Sequence, residues 1–307
     1  MIFTEEMKKR TEEADVCVRS YLPEIKGHAK MLAESMDYSV GAGGKRLRPV
    51  MMKAAFDMCG GQGDIVKPFM AAIEFIHNYS LVHDDLPEMD NDMLRRGMPS
   101  THAKYGSGMA VLAGDGLLNY AFETALKSTE VSDDKDYGRI LDALKVLAGK
   151  SGIYGMAGGQ ALDVEADKKD LELSEEEILF VYENKTAALL QASLVCGAIL
   201  AGASDKDCDT LMRAGYCLGV AFQLQDDILD VTGSETEIGK PVGSDERNGK
   251  KTYLSYLGFD TAEKKQEELS AEAAALVRSI YETEDGQRRE AGEFLEGLIE
   301  SLVKRRK

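Results

Sequence analysis

The sequence predicts an all-α fold in one domain spanning residues 1–307, and three observations predict it. Apolar residues recur at steps of three and four, helix formers (Ala, Leu, Met, Glu) are abundant while alternating β-branched runs are scarce, and six prolines are all that interrupt 307 residues. A chain of this length with 44% apolar residues can bury a sizeable core.

Taken in order, the glycines at 41–44 and 60–63 mark the first breaks. A helix over 68–84 follows, opened by Pro68 and left at Pro87. Periodicity predicts further helices over 112–126, 178–200 and 211–229, parted by polar breaks at 132–136 and 167–170. Ser174 with Glu177 three residues on, ahead of Ile178 and Leu179, is a capping-box start signal. Beyond a break at 233–249, the stretches 263–274 and 287–307 carry no motif and read as helices, parted at 282–287, that cover the core. No break is long or proline-rich enough to be an interdomain linker, and no repeat of about 20 to 50 residues recurs.

The net charge is −17, from 37 Lys plus Arg against 54 Asp plus Glu. Such a surface repels nucleic acid and anionic lipid, so a phosphorylated substrate must meet a local excess of positive charge. Cys17, Cys59, Cys196, Cys208 and Cys217 are scattered, odd in number and without metal-ligand spacing, which fits a reducing compartment. The start Met-Ile-Phe-Thr-Glu-Glu lacks the pattern of a signal peptide, and no run of about 18 apolar residues is uninterrupted. A cytoplasmic protein without membrane insertion is expected.

Two aspartate clusters carry the chemistry: Asp84-Asp85-Leu-Pro-Glu-Met-Asp90 and Asp226-Asp227-Ile-Leu-Asp230, each after a largely apolar stretch. Carboxylates drawn into a burying segment need cations or hydrogen-bond donors to offset desolvation. On a helix over 68–84, His77, Ser80 and Asp84 share a face; Gln223, Asp226 and Asp230 share another, so the last two carboxylates can grip one ion. Mg²⁺ takes carboxylate, phosphate and water oxygens together in octahedral geometry, so Asp-rich motifs beside cations point to a bound diphosphate. The cations are present: Lys45, Arg46 and Arg48 after a glycine turn, Arg95 and Arg96 after the first cluster, Lys185, and Lys240 and Lys250 after the second. Gly233 to Lys240 and Gly243 to Lys250 look like phosphate-binding loops but have the wrong glycine spacing and no Ser or Thr after the lysine.

In the order Gly43-Gly-Lys-Arg-Leu-Arg-Pro49, Ile76-His-Asn-Tyr-Ser-Leu-Val-His-Asp-Asp-Leu-Pro87, Arg95-Arg-Gly97, Gly158-Gly-Gln160, Lys185-Thr186, Gln223-Leu-Gln-Asp-Asp-Ile-Leu-Asp230 and Gly239-Lys-Pro241, the chain resembles the trans-isoprenyl diphosphate synthases, above all the bacterial farnesyl and geranylgeranyl diphosphate synthases. The resemblance implies helices around a central cavity, a homodimer, and two Asp motifs facing each other across the cavity mouth. It implies that Asp84, Asp85, Asp90, Asp226 and Asp230 hold Mg²⁺, three ions per site with Mn²⁺ as a substitute, and that Asp227 belongs to the second motif. Arg95, Lys185, Thr186, Gln223, Lys240 and, less closely, Lys250 match contacts to the allylic diphosphate; Lys45, Arg48, His77 and Arg96 match the metal-free pocket for isopentenyl diphosphate. His83 has no comparable match and reads as structural.

The implied reaction is head-to-tail condensation of isopentenyl diphosphate with dimethylallyl and geranyl diphosphates to farnesyl diphosphate, releasing pyrophosphate. Tyr79 and Ser80 stand five and four residues before Asp84, about 7.5 Å down the helix for Tyr79, and the resemblance implies that an aromatic there sets the floor for a fifteen-carbon product. Geranylgeranyl diphosphate is the alternative product. Glu88 and Met98 depart from the family pattern. A terpene cyclase would replace the second Asp motif, and a non-catalytic regulatory subunit of a heteromeric synthase would lose one motif, yet both motifs stand here.

Overall fold

Helix α4 (Lys67–Asp84) is apolar on nearly every side, and its Phe69, Ile73, Phe75 and Ile76 are fully buried. Pro68 sits in its first turn, where a missing amide costs nothing. The fold around it is a computed structural model that describes residues 3–169, 171–232 and 252–303. Helices α1 (Phe3–Ser20), α2 (Lys30–Gly41) and α3 (Leu47–Met58) precede α4 and pack against it. After it come a hairpin of β1 (Leu94–Arg95) and β2 (Met98–Pro99), the short α5 (Thr101–Tyr105), α6 (Ser107–Leu126), α7 (Tyr137–Ser151) and α8 (Met156–Lys169). Then follow α9 (Glu175–Val181), α10 (Ala188–Ala201), α11 (Asp205–Thr232), α12 (Tyr253–Leu257), α13 (Phe259–Tyr281) and α14 (Gly286–Val303).

Helix α4 packs along α6, α10 packs among α3, α7 and α11, and α13 and α14 close the far side by joining α11 to α3. The all-α expectation therefore holds. Helix α10 is hydrophobic all round because neighbours cover it on all sides: the stretch Glu175–Ala201 is long and apolar enough to cross a membrane, but its most apolar part is mostly buried inside the fold. Ser174 caps α9 as its sequence predicts: its hydroxyl accepts from the Glu177 amide (3.3 Å) while the Glu177 carboxylate accepts from the Ser174 amide (2.8 Å).

Arg46 turns inward instead of joining the cations of the glycine turn. Its guanidinium donates to Asp15 (2.9 Å), Glu74 (2.7 Å) and the Val40 carbonyl (2.7 Å), pinning α1, α2 and α4 at the start of α3. Two features depart from the periodicity. The expected helix over 178–200 contains a π turn, Tyr182–Ala187, where one extra residue widens the backbone. That turn is wedged between α8 and α11: a Cβ at Gly159 would stand 2.3 Å from the Lys185 amide nitrogen, and one at Gly219 2.2 Å from the Ala187 Cβ. The hairpin, with strands of two residues each, is too short to leave a period-2 signal. Its turn, Arg96-Gly97, has positive φ at both positions (53° and 78°), and Arg95 pairs with Met98.

Candidate functional site

A cavity of about 610 Å³ opens between α4, α8 and the π turn. Helix α4 contributes His77, Tyr79, Ser80, His83 and Asp84, α8 contributes Met156, Gln160 and Val164 among others, and the π turn contributes Lys185 and Thr186. A second, smaller recess of about 140 Å³ shares Lys185 and Thr186 with it and reaches Gln223 and Asp227 of α11. The π turn thus stands between the two Asp motifs, with one wall facing each.

Asp84 ends α4, and its Oδ1 accepts from Gln160 Nε2 at 2.7 Å. Burial pushes its carboxyl up to about 6; Lys185 and Arg95 pull the other way, but Asp90 and Asp85 add to the rise. Asp90 is exposed, and its amide donates to the Asp84 carbonyl at 2.9 Å, so the loop folds its last aspartate back toward the first. Asp85 is buried, and both of its oxygens face the Arg95 guanidinium, Nε lying 3.0 and 3.2 Å from them. The hairpin is what carries Arg95 there.

On α11, Asp226 and Asp230 are half-buried one helical turn apart, while Asp227 is buried and accepts from the Tyr182 hydroxyl. That hydroxyl also accepts from the Tyr253 amide (3.2 Å), and the Tyr253 hydroxyl donates to Glu175 (3.1 Å). Thr186 donates to Gln223 Oε1 (3.1 Å), and Lys185 Nζ donates to Asp163 (2.6 Å). Among the described residues no three carboxylate, imidazole or thiolate groups converge on one point.

The opposite charge collects beneath. His77 is held well below its ordinary value, first by burial and then by Arg48, Arg96, Arg46 and Arg95 around it. Burial also lowers Arg48 to about 10, and its Nε is buried without a partner among the described residues. Arg96, likewise lowered by burial, lays its guanidinium against Gly44 of the glycine turn. Lys45 on that turn is exposed.

The structure therefore brings Asp84, His77, Tyr79, Ser80, Arg48, Lys185 and Thr186 to one cavity, with Asp85 and Arg95 paired beside it. Lys240, Lys250 and the segment Gly239-Lys-Pro241 lie outside the described residues. Sequence reasoning gave no role to the Gln160 side chain, Asp163, Tyr182 or Tyr253. The helical spacing of Met156, Gln160, Asp163 and Val164 on one face of α8 was the available signal for the first two; Tyr182 and Tyr253 left none, being 71 residues apart.

The polyprenyl synthetase family model matches residues 29–288. A farnesyl diphosphate synthase of Geobacillus stearothermophilus is 44% identical over 264 residues, covering 86% of this chain and 86% of that one. A geranylgeranyl diphosphate synthase of Cyanophora paradoxa is 40% identical over 81% of each chain. The solved geranyltransferase of Helicobacter pylori, complexed with magnesium and isoprenyl diphosphate, superposes with a TM-score of 0.82 at 31% identity over 99% of both chains.

Proposed function

This chain belongs to the polyprenyl synthetase family and is a trans-prenyltransferase of isoprenyl diphosphates, and from that premise we propose that it makes farnesyl diphosphate from isopentenyl diphosphate and the dimethylallyl and geranyl diphosphates, with Mg²⁺ as its cation. The observation that carries the reading is a cavity lined by groups of opposite sign that burial disfavours: the Asp84 carboxyl, raised to about 6, and the Arg48 guanidinium, lowered to about 10, with the His77 imidazole beside them. A cation relieves the first and a diphosphate the second.

The donor set fits a hard cation, since Asp84, Asp90, Asp226 and Asp230 offer only carboxylate oxygens. These carboxylates would hold the cation together with oxygens of a bound diphosphate. When bound, the cations supply positive charge to the departing pyrophosphate. Arg95 is oriented by Asp85, and Lys185 by Asp163, so both cations are fixed before substrate arrives and need little reorganisation. Arg48, Arg96 and His77, with the exposed Lys45, receive the diphosphate of isopentenyl diphosphate, whose leaving is not wanted. The allylic C–O bond breaks with its electron pair going to pyrophosphate, the isopentenyl double bond attacks the allylic carbon, and loss of a proton to the released pyrophosphate restores an alkene. Apolar side chains such as Met156 and Val164 line the cavity and keep water from the cation.

Tyr79, only 8% exposed at the cavity wall, supports the fifteen-carbon product. Geranylgeranyl diphosphate, favoured by the relative of that name, requires this ring to turn aside. A homodimer belongs to the same reading, supported by Val111, Leu112 and Leu126 exposed on α6, and a cytoplasmic location is proposed with it. The test is incubation of purified protein with isopentenyl diphosphate and each allylic diphosphate, with and without Mg²⁺. Prenyl diphosphates appearing only with the metal, ending at fifteen carbons, are expected; no product with any pair refutes the proposal.

A further inference from the structure

Resting on the prenyltransferase reading above, we infer that His83 sets product length by holding the Tyr79 ring in place, a positioning role one turn away from the ring itself. The two rings meet edge to face on α4, their centroids 5.8 Å apart and their planes at 78°. Edge-to-face contact is the preferred geometry for aromatic pairs. Both side chains line the cavity wall, so the face that Tyr79 shows to a growing chain depends on where His83 stands.

His83 is itself held from the other side. Its Nε2 lies 3.1 Å from the Val111 carbonyl on α6; a carbonyl only accepts, so Nε2 carries the proton and donates. The approach is possible because residue 114 is glycine: a Cβ there would stand 2.1 Å from Nε2 and 2.3 Å from Cδ2 of the imidazole. Gly114 is buried and helical with an ordinary φ, so its lack of a side chain answers the imidazole, not a turn. The chain of contact runs from the Val111 carbonyl and Gly114, through His83, to Tyr79. The same antiparallel pairing of α4 and α6 continues one turn deeper, where Phe75 meets Tyr120 with centroids 5.9 Å apart. Tyr79 is thus held by His83 on its own helix, one turn from that aromatic pair.

The readout is the ratio of twenty-carbon to fifteen-carbon product, which is independent of total turnover. Wild-type protein, His83→Ala, Gly114→Ala, Tyr79→Ala and the double variants His83→Ala/Gly114→Ala and His83→Ala/Tyr79→Ala are given isopentenyl and geranyl diphosphates with Mg²⁺, and products are resolved by mass. His83→Ala and Gly114→Ala should each raise the ratio by about threefold to tenfold, the scale of one lost aromatic contact. Gly114→Ala reaches the same end with both ring residues unchanged, by displacing His83. Adding Gly114→Ala to His83→Ala should change nothing further, and adding His83→Ala to Tyr79→Ala should lengthen products no more than Tyr79→Ala alone. The inference is overturned if the single variants keep the wild-type ratio, if they yield no product, which would place His83 in the chemistry, or if His83→Ala lengthens products equally without Tyr79. A wild-type enzyme that makes no prenyl product would instead sink the reading of the reaction, so the two failures are distinct.

Discussion

Asp84 shows most directly how burial changes the chemistry of one side chain. Its carboxyl, raised to about 6 chiefly by burial, lies above the unfolded value of 3.8, so the native state prefers the protonated acid. Ionised Asp84 therefore costs stability above about pH 6, and the cost fades as pH falls toward 4. Without divalent cations, Asp84→Asn should melt higher than wild type at pH 8, by about 1–2 kcal/mol after allowance for solvent screening, and lose that advantage by pH 4. Equal melting at both values would refute the burial cost at Asp84. Protons compete with the metal at the same oxygens, so Mg²⁺ affinity read by calorimetry should weaken as pH drops through 6. In turnover, Asp84→Ala should cost at least about 10²-fold, the scale set by loss of other groups that stabilise transition-state charge; near-normal rates would remove its role. At this scale the sequence was legible where one helix carries a group's partners: His77, Ser80 and Asp84 share a wall because 3.6-residue phase puts them there. Partners from distant segments, such as Tyr182 for Asp227, were invisible because no local period links residues 45 positions apart.

Among the elements, the π turn Tyr182–Ala187 is the one that its own pattern concealed. An apolar run with helical spacing looks the same with or without one inserted residue, and the cause lies in Gly159 and Gly219 on neighbouring helices. Gly159→Ala drives a methyl into the Lys185 backbone, so stability should fall by about 1–3 kcal/mol. Turnover should fall more than stability explains, because Lys185 and Thr186 are displaced together; a stable variant with unchanged kinetics would separate the turn from the site. Arg46 shows a different kind of concealment. Its place in a basic motif suggests a ligand contact, but burial beside Asp15 and Glu74 makes it a tie among helices. Glu74→Ala leaves that guanidinium short of a partner and should cost about 3–5 kcal/mol in denaturant unfolding. A loss below about 1 kcal/mol would mean that Asp15 and the Val40 carbonyl suffice.

For the whole molecule, fold class was legible from composition and periodicity because helices record their buried faces in the sequence, as α4, α10 and α11 do. The hairpin at 94–99 was not, since strands of two residues record nothing, yet it places Arg95 against one acidic motif and Arg96 beside the glycine turn. With a net charge of −17 overall, anions gain access only where such local placements reverse the sign. Pyrophosphate with Mg²⁺ at about 100 times its dissociation constant should stabilise the fold by about 2.7 kcal/mol, seen as a higher melting temperature, and neither component alone should match it. An identical melting curve with and without the pair would contradict the placement of both charges at one cavity. Burial of Asp84 and Arg48 at one cavity has one further result. Whatever binds both groups stabilises the fold by mass action, so a protease should digest the protein more slowly with pyrophosphate and Mg²⁺ together than with either alone.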